Sequence, residues 1–124
     1  MVIGIHHAQI TIEPGGEEQA RFFYGTLLQL PEVEKPENLR ARGGMWFDIG
    51  TQQLHVGIQS ESHRANSRAH IAYQVEVLAP VIERLEEHGF TIKRGVMVGT
   101  FERVECRDPY CNRVELLADT VSGG

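Results

Sequence analysis

From Ile5 to Ile12 the chain alternates, with Ala8, Ile10 and Ile12 in one phase and His7, Gln9 and Thr11 in the other. A period of two is that of a strand with one buried face. Pro14-Gly15-Gly16 ends it. From Glu17 to Leu28 the spacing changes: Ala20, Phe23, Tyr24, Leu27 and Leu28 fall on one side of a helix, and Glu17 and Glu18 occupy the first turn, where acidic groups suit the helix dipole. Pro31 closes this helix. Glu32 to Arg42 is polar and reads as a weak strand or loop, whereas Met45 to Ile49 and Gln53 to Ile58 read as two strands joined at Gly50-Thr51. The polar stretch from Gln59 to Arg68 reads as a linker.

The same order then returns. Ala69 to Val77 alternates as a strand, and Pro80 to His88 reads as a short helix with Val81, Ile82 and Leu85 inward and Gly89 as its C-cap. Further strands are expected near Thr91 to Val98, Phe101 to Cys106 and Arg113 to Leu117, with Asp108-Pro109 making the last turn. Each half therefore reads βαβββ. The pattern predicts an α+β fold of two tandem modules, about 1–60 and about 68–120, within a single domain spanning 1–124.

Four polar side chains interrupt these apolar strands. His55 lies between Leu54 and Val56, His70 precedes Ile71, Glu115 is flanked by Val114 and Leu116, and His7 shares its phase with Gln9 and Thr11. His6 falls in phase with Ala8 and Ile10, which sets it against the helices and leaves His7 facing the cavity. His7 and His70 both open a half, 63 residues apart, and His55 and Glu115 both sit on the last strand of a half, 60 apart. One strand histidine is usually a hydrogen-bonded or half-exposed residue. Four ligand-type groups at matching places of two halves favour a metal: three neutral imidazoles and a carboxylate suit Zn, Ni, Mn, Fe or Co, and the buried carboxylate would be costly without a cation beside it. Without His55, the set His7, His70 and Glu115 is the two-histidine, one-carboxylate triad of non-haem Fe(II) oxygenases.

Composition narrows the partners. The 124 residues are 41% apolar and 23% charged with a net charge of -5, ordinary for a globular protein and contrary to nucleic acid or an anionic membrane as main partner. No apolar run reaches bilayer length and no leader precedes the first strand, so the expected location is the cytoplasm. Cys106 and Cys111, at C-x4-C spacing, are expected to be free thiols. Arg64 and Arg68 are expected to be solvated linker residues, with capture of an anion at the cavity mouth as the functional reading. Glu105 shares a phase with Arg103, so either both line the cavity or, as is commoner for such residues, Glu105 forms a surface pair with Arg103 or Arg113. Glu115 alone could likewise pair with Arg113 or Arg103. Glu105 and Glu115 are the candidate catalytic bases, and Trp46 and Arg103 candidate pocket residues.

The segments HHAQITI, ARFFYGTLLQLPEV, QLHVGI, AHIAYQV and RDPYCNRVELL together resemble the vicinal oxygen chelate superfamily, which includes glyoxalase I, fosfomycin- and bleomycin-resistance proteins and extradiol dioxygenases. The resemblance covers nearly the whole chain. It implies a curved mixed sheet around a metal cavity, one divalent ion held by His7, His55, His70 and Glu115, and a homodimer with sites shared between chains, His7 and His55 from one and His70 and Glu115 from the other. It implies an enzyme of glyoxalase or dioxygenase type on a small molecule with adjacent oxygens, or alternatively a metal-independent module that sequesters a drug. Cys111 stands where the family usually has glycine: either the turn differs or Cys111 tolerates strain.

Overall fold

The computed structural model describes residues 1–60 and 63–121, and the chain divides into two compact units, 1–62 and 63–124. In the first, β1 (His7–Ile12) is followed by helix α1 (Glu17–Ala20), then β2 (Glu32–Val33), β3 (Met45–Ile49) and β4 (Gln52–Ile58). In the second, β5 (His70–Gln74) precedes α2 (Leu78–Glu87), β6 (Lys93–Arg94), β7 (Phe101–Arg107) and β8 (Arg113–Asp119). Each unit forms a four-stranded mixed sheet, ordered β1-β4-β3-β2 and β5-β8-β7-β6. The architecture is the duplicated βαβββ arrangement that the hydrophobic pattern predicts.

The duplication extends to register. In the parallel pair β1/β4 the third residue of β1, Gln9, lies opposite His55; in β5/β8 the third residue, Ala72, lies opposite Glu115. Across the antiparallel neighbour, His55 faces Trp46 and Glu115 faces Glu105. β4 and β8 are inner strands whose Leu54 and Val56, and likewise Val114 and Leu116, pack into the core, while His55 and Glu115 on the opposite face are covered by side chains from the flanking strands. That is how a polar residue in an apolar run comes to be desolvated.

The first core is closed by Ala20, Phe23, Tyr24 and Leu27 against Phe47 and Leu54, all nearly inaccessible. Each large side chain removed from water contributes about 1.5–3 kcal/mol. The predicted helix 17–28 exists but changes hand-hold: after Ala20 it continues as a π-helical segment, Arg21–Leu27, with Leu28 N–H reaching the Phe23 carbonyl. Gln29 then turns left-handed (φ 62), and Pro31 follows. Glu32 to Arg42, read as a weak strand or loop, holds β2 and a 3-10 turn, Glu37–Arg42.

In the second unit α2 buries Leu78, Val81 and Leu85, so Leu78 takes the inward place expected of Ile82, which is half-buried. The strand expected over 91–98 shrinks to β6, followed by an isolated bridge between Val98 and Phe101. The linker 59–68 carries a short 3-10 turn, Arg64–Asn66; its residues 61 and 62 lie outside the described ones.

The two hairpins end differently. The β3–β4 turn uses Gly50 at φ 56, whereas the β7–β8 loop places Cys111 at φ 69, the left-handed region in which a Cβ is strained. Buried Asp108 holds that loop: Oδ1 accepts from the Tyr110 and Asn112 amides at 2.8 and 2.9 Å, and Oδ2 accepts from Asn112 Nδ2 at 2.9 Å. Of the two open alternatives at Cys111, the turn is kept and the side chain tolerates it.

Candidate metal and substrate site

In the first unit, strand phase brings His7 and His55 together. Their rings stack with centroids 4.0 Å apart, and Trp46 covers the other side of His55 at 4.0 Å, nearly parallel at 2°. His55 is thus the middle of a three-ring stack. Its Nε2 lies 2.9 Å from Gln53 Oε1, and Gln53 Nε2 donates to Asp48 Oδ1 at 3.2 Å. A carboxylate only accepts, so the Gln53 amide nitrogen faces Asp48 and its oxygen faces His55; His55 therefore donates from Nε2–H and keeps its lone pair on Nδ1. Burial first, then the nearby His7, His6 and Lys35, push His55 below the ordinary imidazole value, which favours the neutral, ligand-competent ring.

His6 departs from expectation. β1 begins only at His7, so the alternation that would turn His6 towards the helices does not yet operate. His6 is exposed, its Nδ1 lies 3.0 Å from His7 Nδ1, and it lines the same cleft as His7 and His55. One of the two rings must supply the proton between those nitrogens and the other the lone pair. Trp46 lines this cleft too, which encloses about 550 Å³.

In the second unit His70 meets Glu115. His70 Nδ1 lies 3.0 Å from the Arg68 carbonyl and so donates to it; in the neutral ring the lone pair is then on Nε2, which points at Glu115 Oε1 from 3.4 Å. In that form two lone pairs would face each other, a repulsion that either a proton on Nε2 or a shared cation removes. Arg103 partly offsets the buried carboxylate, its Nη1 donating to Glu115 Oε1 at 3.0 Å while its Nε donates to the Val96 carbonyl at 2.7 Å. Arg103 and Glu105 line one small cleft with Glu115. Glu105 Oε2 accepts from Arg113 Nε at 2.6 Å, and its Oε1 is 3.9 Å from Lys93 Nζ. Arg64, expected to be solvated, instead donates from Nε to the Tyr110 carbonyl at 3.0 Å. Cys106 is buried and Cys111 exposed, both unpaired to sulfur.

The donor chemistry fits a divalent ion. Each unit brings together two ligand-type groups at register-equivalent places: His7 with His55, and His70 with Glu115. Among the described residues no three such groups of this chain gather closely enough to hold an ion by themselves. The sequence reading missed the Asp48–Gln53–His55 relay and the place of Lys35 and Arg42 on the cleft wall, whereas an Arg103 or Arg113 salt bridge to Glu115 is one that it offers and Arg103 forms it. Only strand register and loop course could have revealed them, although Asp48 does share the phase of Trp46.

The model of the Glyoxalase/Bleomycin resistance protein/Dioxygenase superfamily matches residues 4–116. The chain belongs to that superfamily. A protein from Bacillus anthracis described as glyoxalase family is 33% identical over 97% of this chain and 98% of its own, with a TM-score of 0.88. At lower identity the likeness is one of fold. A mutant of the fosfomycin resistance protein FosX from Listeria monocytogenes, complexed with Mn(II) and 1S,2S-dihydroxypropylphosphonic acid, is 18% identical over 98% and 95% of the two chains, TM-score 0.79. Lactoylglutathione lyase from Agrobacterium tumefaciens is 19% identical over 97% and 96%, TM-score 0.67. Comparison with curated protein sequences found no match. No helix among the described residues is long and apolar enough to cross a membrane.

Proposed function

We propose that this protein is a metal-dependent enzyme acting on a small molecule with neighbouring oxygens, with His7, His55, His70 and Glu115 as ligands to one divalent ion. The approach of His70 Nε2 to Glu115 Oε1, 3.4 Å apart at the places equivalent to His7 and His55, carries the reading, because it brings an imidazole and a carboxylate within reach of one cation. In this reading, which follows the superfamily resemblance, two chains complete the set, His7 and His55 coming from one and His70 and Glu115 from the other. The family membership and a FosX relative crystallised with Mn(II) support this.

A divalent ion there would supply Lewis acidity towards two adjacent substrate oxygens. The chain's own residues do the rest. Arg103 offsets the Glu115 charge from the same Oε1 that an ion would share, and Gln53 with Asp48 holds the His55 ring. Arg113 fixes Glu105 Oε2, leaving Oε1 to take a proton from a substrate carbon or hydroxyl; Glu115, if it leaves the ion, is the second base. Half-buried Trp46, stacked on buried His55, shields one side of the site from water.

Elemental analysis of protein purified without chelator or tag-derived nickel tests the reading. One ion per chain is expected, lost in His7→Ala and Glu115→Ala. No metal and no uptake of Mn, Zn, Ni or Fe would overturn it in favour of a sequestering module, and full occupancy in both variants would refute the ligands.

A further inference from the structure

The first unit's cleft differs from the surface around it. The chain carries a net charge of -5, yet no Asp or Glu is among the described residues that line this cleft, whereas Lys35 and Arg42 both do. The Glu17 carboxylate reaches the neighbourhood of Gly43 but does not line the cleft. Lys35 is held there: its ammonium donates to the Gly43 carbonyl, and among the described residues that is its one hydrogen bond, which leaves two N–H groups for a ligand. Elsewhere on the wall, beside the histidines and Gln9, Trp46, Leu39 and Ile58 supply flat or aliphatic surface. A volume of about 550 Å³ suits a small organic ligand. Cations at one part and apolar faces at another are what an amphipathic anion requires.

We propose that this cleft is built for a small organic anion with a flat apolar body, an aromatic or unsaturated acid, its acid group taken by Lys35 and Arg42 and its body lying along Trp46. This deepens the proposed function by naming a substrate class. It rests on the reading of the cleft as the substrate site and not on the metal. Lys35 and Arg42 come from the loop between β2 and β3, outside the four ligands, so they select the molecule without needing the ion.

Trp46 is the sole tryptophan of the chain, so its fluorescence reports on this cleft alone. The experiment titrates metal-stripped and Mn(II)-loaded protein with benzoate, phenylphosphonate, benzyl alcohol and benzylamine. Saturable quenching is expected from the two anions in both preparations, with the neutral and cationic probes at least about tenfold weaker, the range of one charge-assisted hydrogen bond. Lys35→Gln and Arg42→Gln are each expected to weaken benzoate about tenfold and to leave benzyl alcohol unchanged. Added salt is expected to weaken only the anions. Equal affinity for all four probes, no binding of any, or anion binding indifferent to both variants would overturn the proposal. Mn(II) uptake followed by electron paramagnetic resonance on the same samples separates the two claims: uptake without anion preference sinks only this inference, and anion preference without uptake sinks only the metal reading.

Discussion

In the first unit the inner-strand position opposite the third residue of the opening strand is His55, sandwiched between His7 and Trp46; in the second it is Glu115, held by Arg103 and faced by His70. The backbone places these residues alike, yet one environment is aromatic and basic and the other a network of ion pairs. The teaching is that duplication conserves where a side chain is delivered, while its neighbours set its chemistry. A neutral imidazole is stabilised by stacking and by the Gln53 relay. A buried carboxylate needs opposite charge, and Arg103 provides it.

Removing one donor from each unit tests whether the halves serve one ion. His7→Ala and Glu115→Ala are each expected to lower Mn(II) affinity by on the order of a hundredfold or more, since even partners of metal ligands cost up to that much. Isothermal titration measures both, and a loss confined to one unit would break the comparison. The two hairpins come next. Asp108→Ala removes the acceptor of three hydrogen bonds in the second unit's loop and is expected to cost about 2–3 kcal/mol in urea unfolding.

The Arg103 substitution is expected to act in the opposite direction on metal. Arg103→Gln removes a cation competing for Glu115 Oε1 and should raise Mn(II) affinity about fivefold, read by competition with a chromophoric chelator. An unchanged affinity would mean that the guanidinium and the ion do not share that oxygen. Cys111→Gly makes the second turn like the first, where Gly50 has the same sign of φ. A gain of about 0.5–1 kcal/mol is expected from relieved strain, net of the glycine's greater freedom in the unfolded chain.

Smallest at neutral pH is the thiol contrast. Burial, then Asp108 and Glu105, push the Cys106 thiol up to about 12, whereas Cys111 is exposed. A disulfide reagent at pH 8 should modify Cys111 and spare Cys106 in the folded protein. A raised thiol means that the folded state binds the extra proton. That contribution to stability is full below about pH 9, the ordinary thiol value, and is lost as pH rises from there to about 12. Unfolding midpoints of wild type and Cys106→Ala across that window should converge.

Much of the fold is legible in the chain because strand alternation is local. His7, Gln9 and Thr11 announce a phase by themselves, and so do Val114 and Leu116 around Glu115. The repeat of that order over some sixty residues fixes the duplication. Less legible are places where two segments must first meet. His6 was expected on the helix side and stands in the cleft, because alternation begins only where the β1 ladder does. The helix after Ala20 takes π spacing, which places Phe23, Tyr24 and Leu27 against the first core in a way that apolar periodicity alone does not distinguish.

The sequence by itself determined the two βαβββ modules and the strand phases that carry His7, His55, His70 and Glu115, since period and composition act within a few neighbouring residues. Only the tertiary structure decided what each of these meets: Trp46 over His55, Gln53 on its Nε2, Arg103 on Glu115, and Lys35 with Arg42 on the wall of the cleft. Those contacts depend on register and loop course. Both are settled when separate stretches of chain bury their apolar faces together, and no single stretch contains that information.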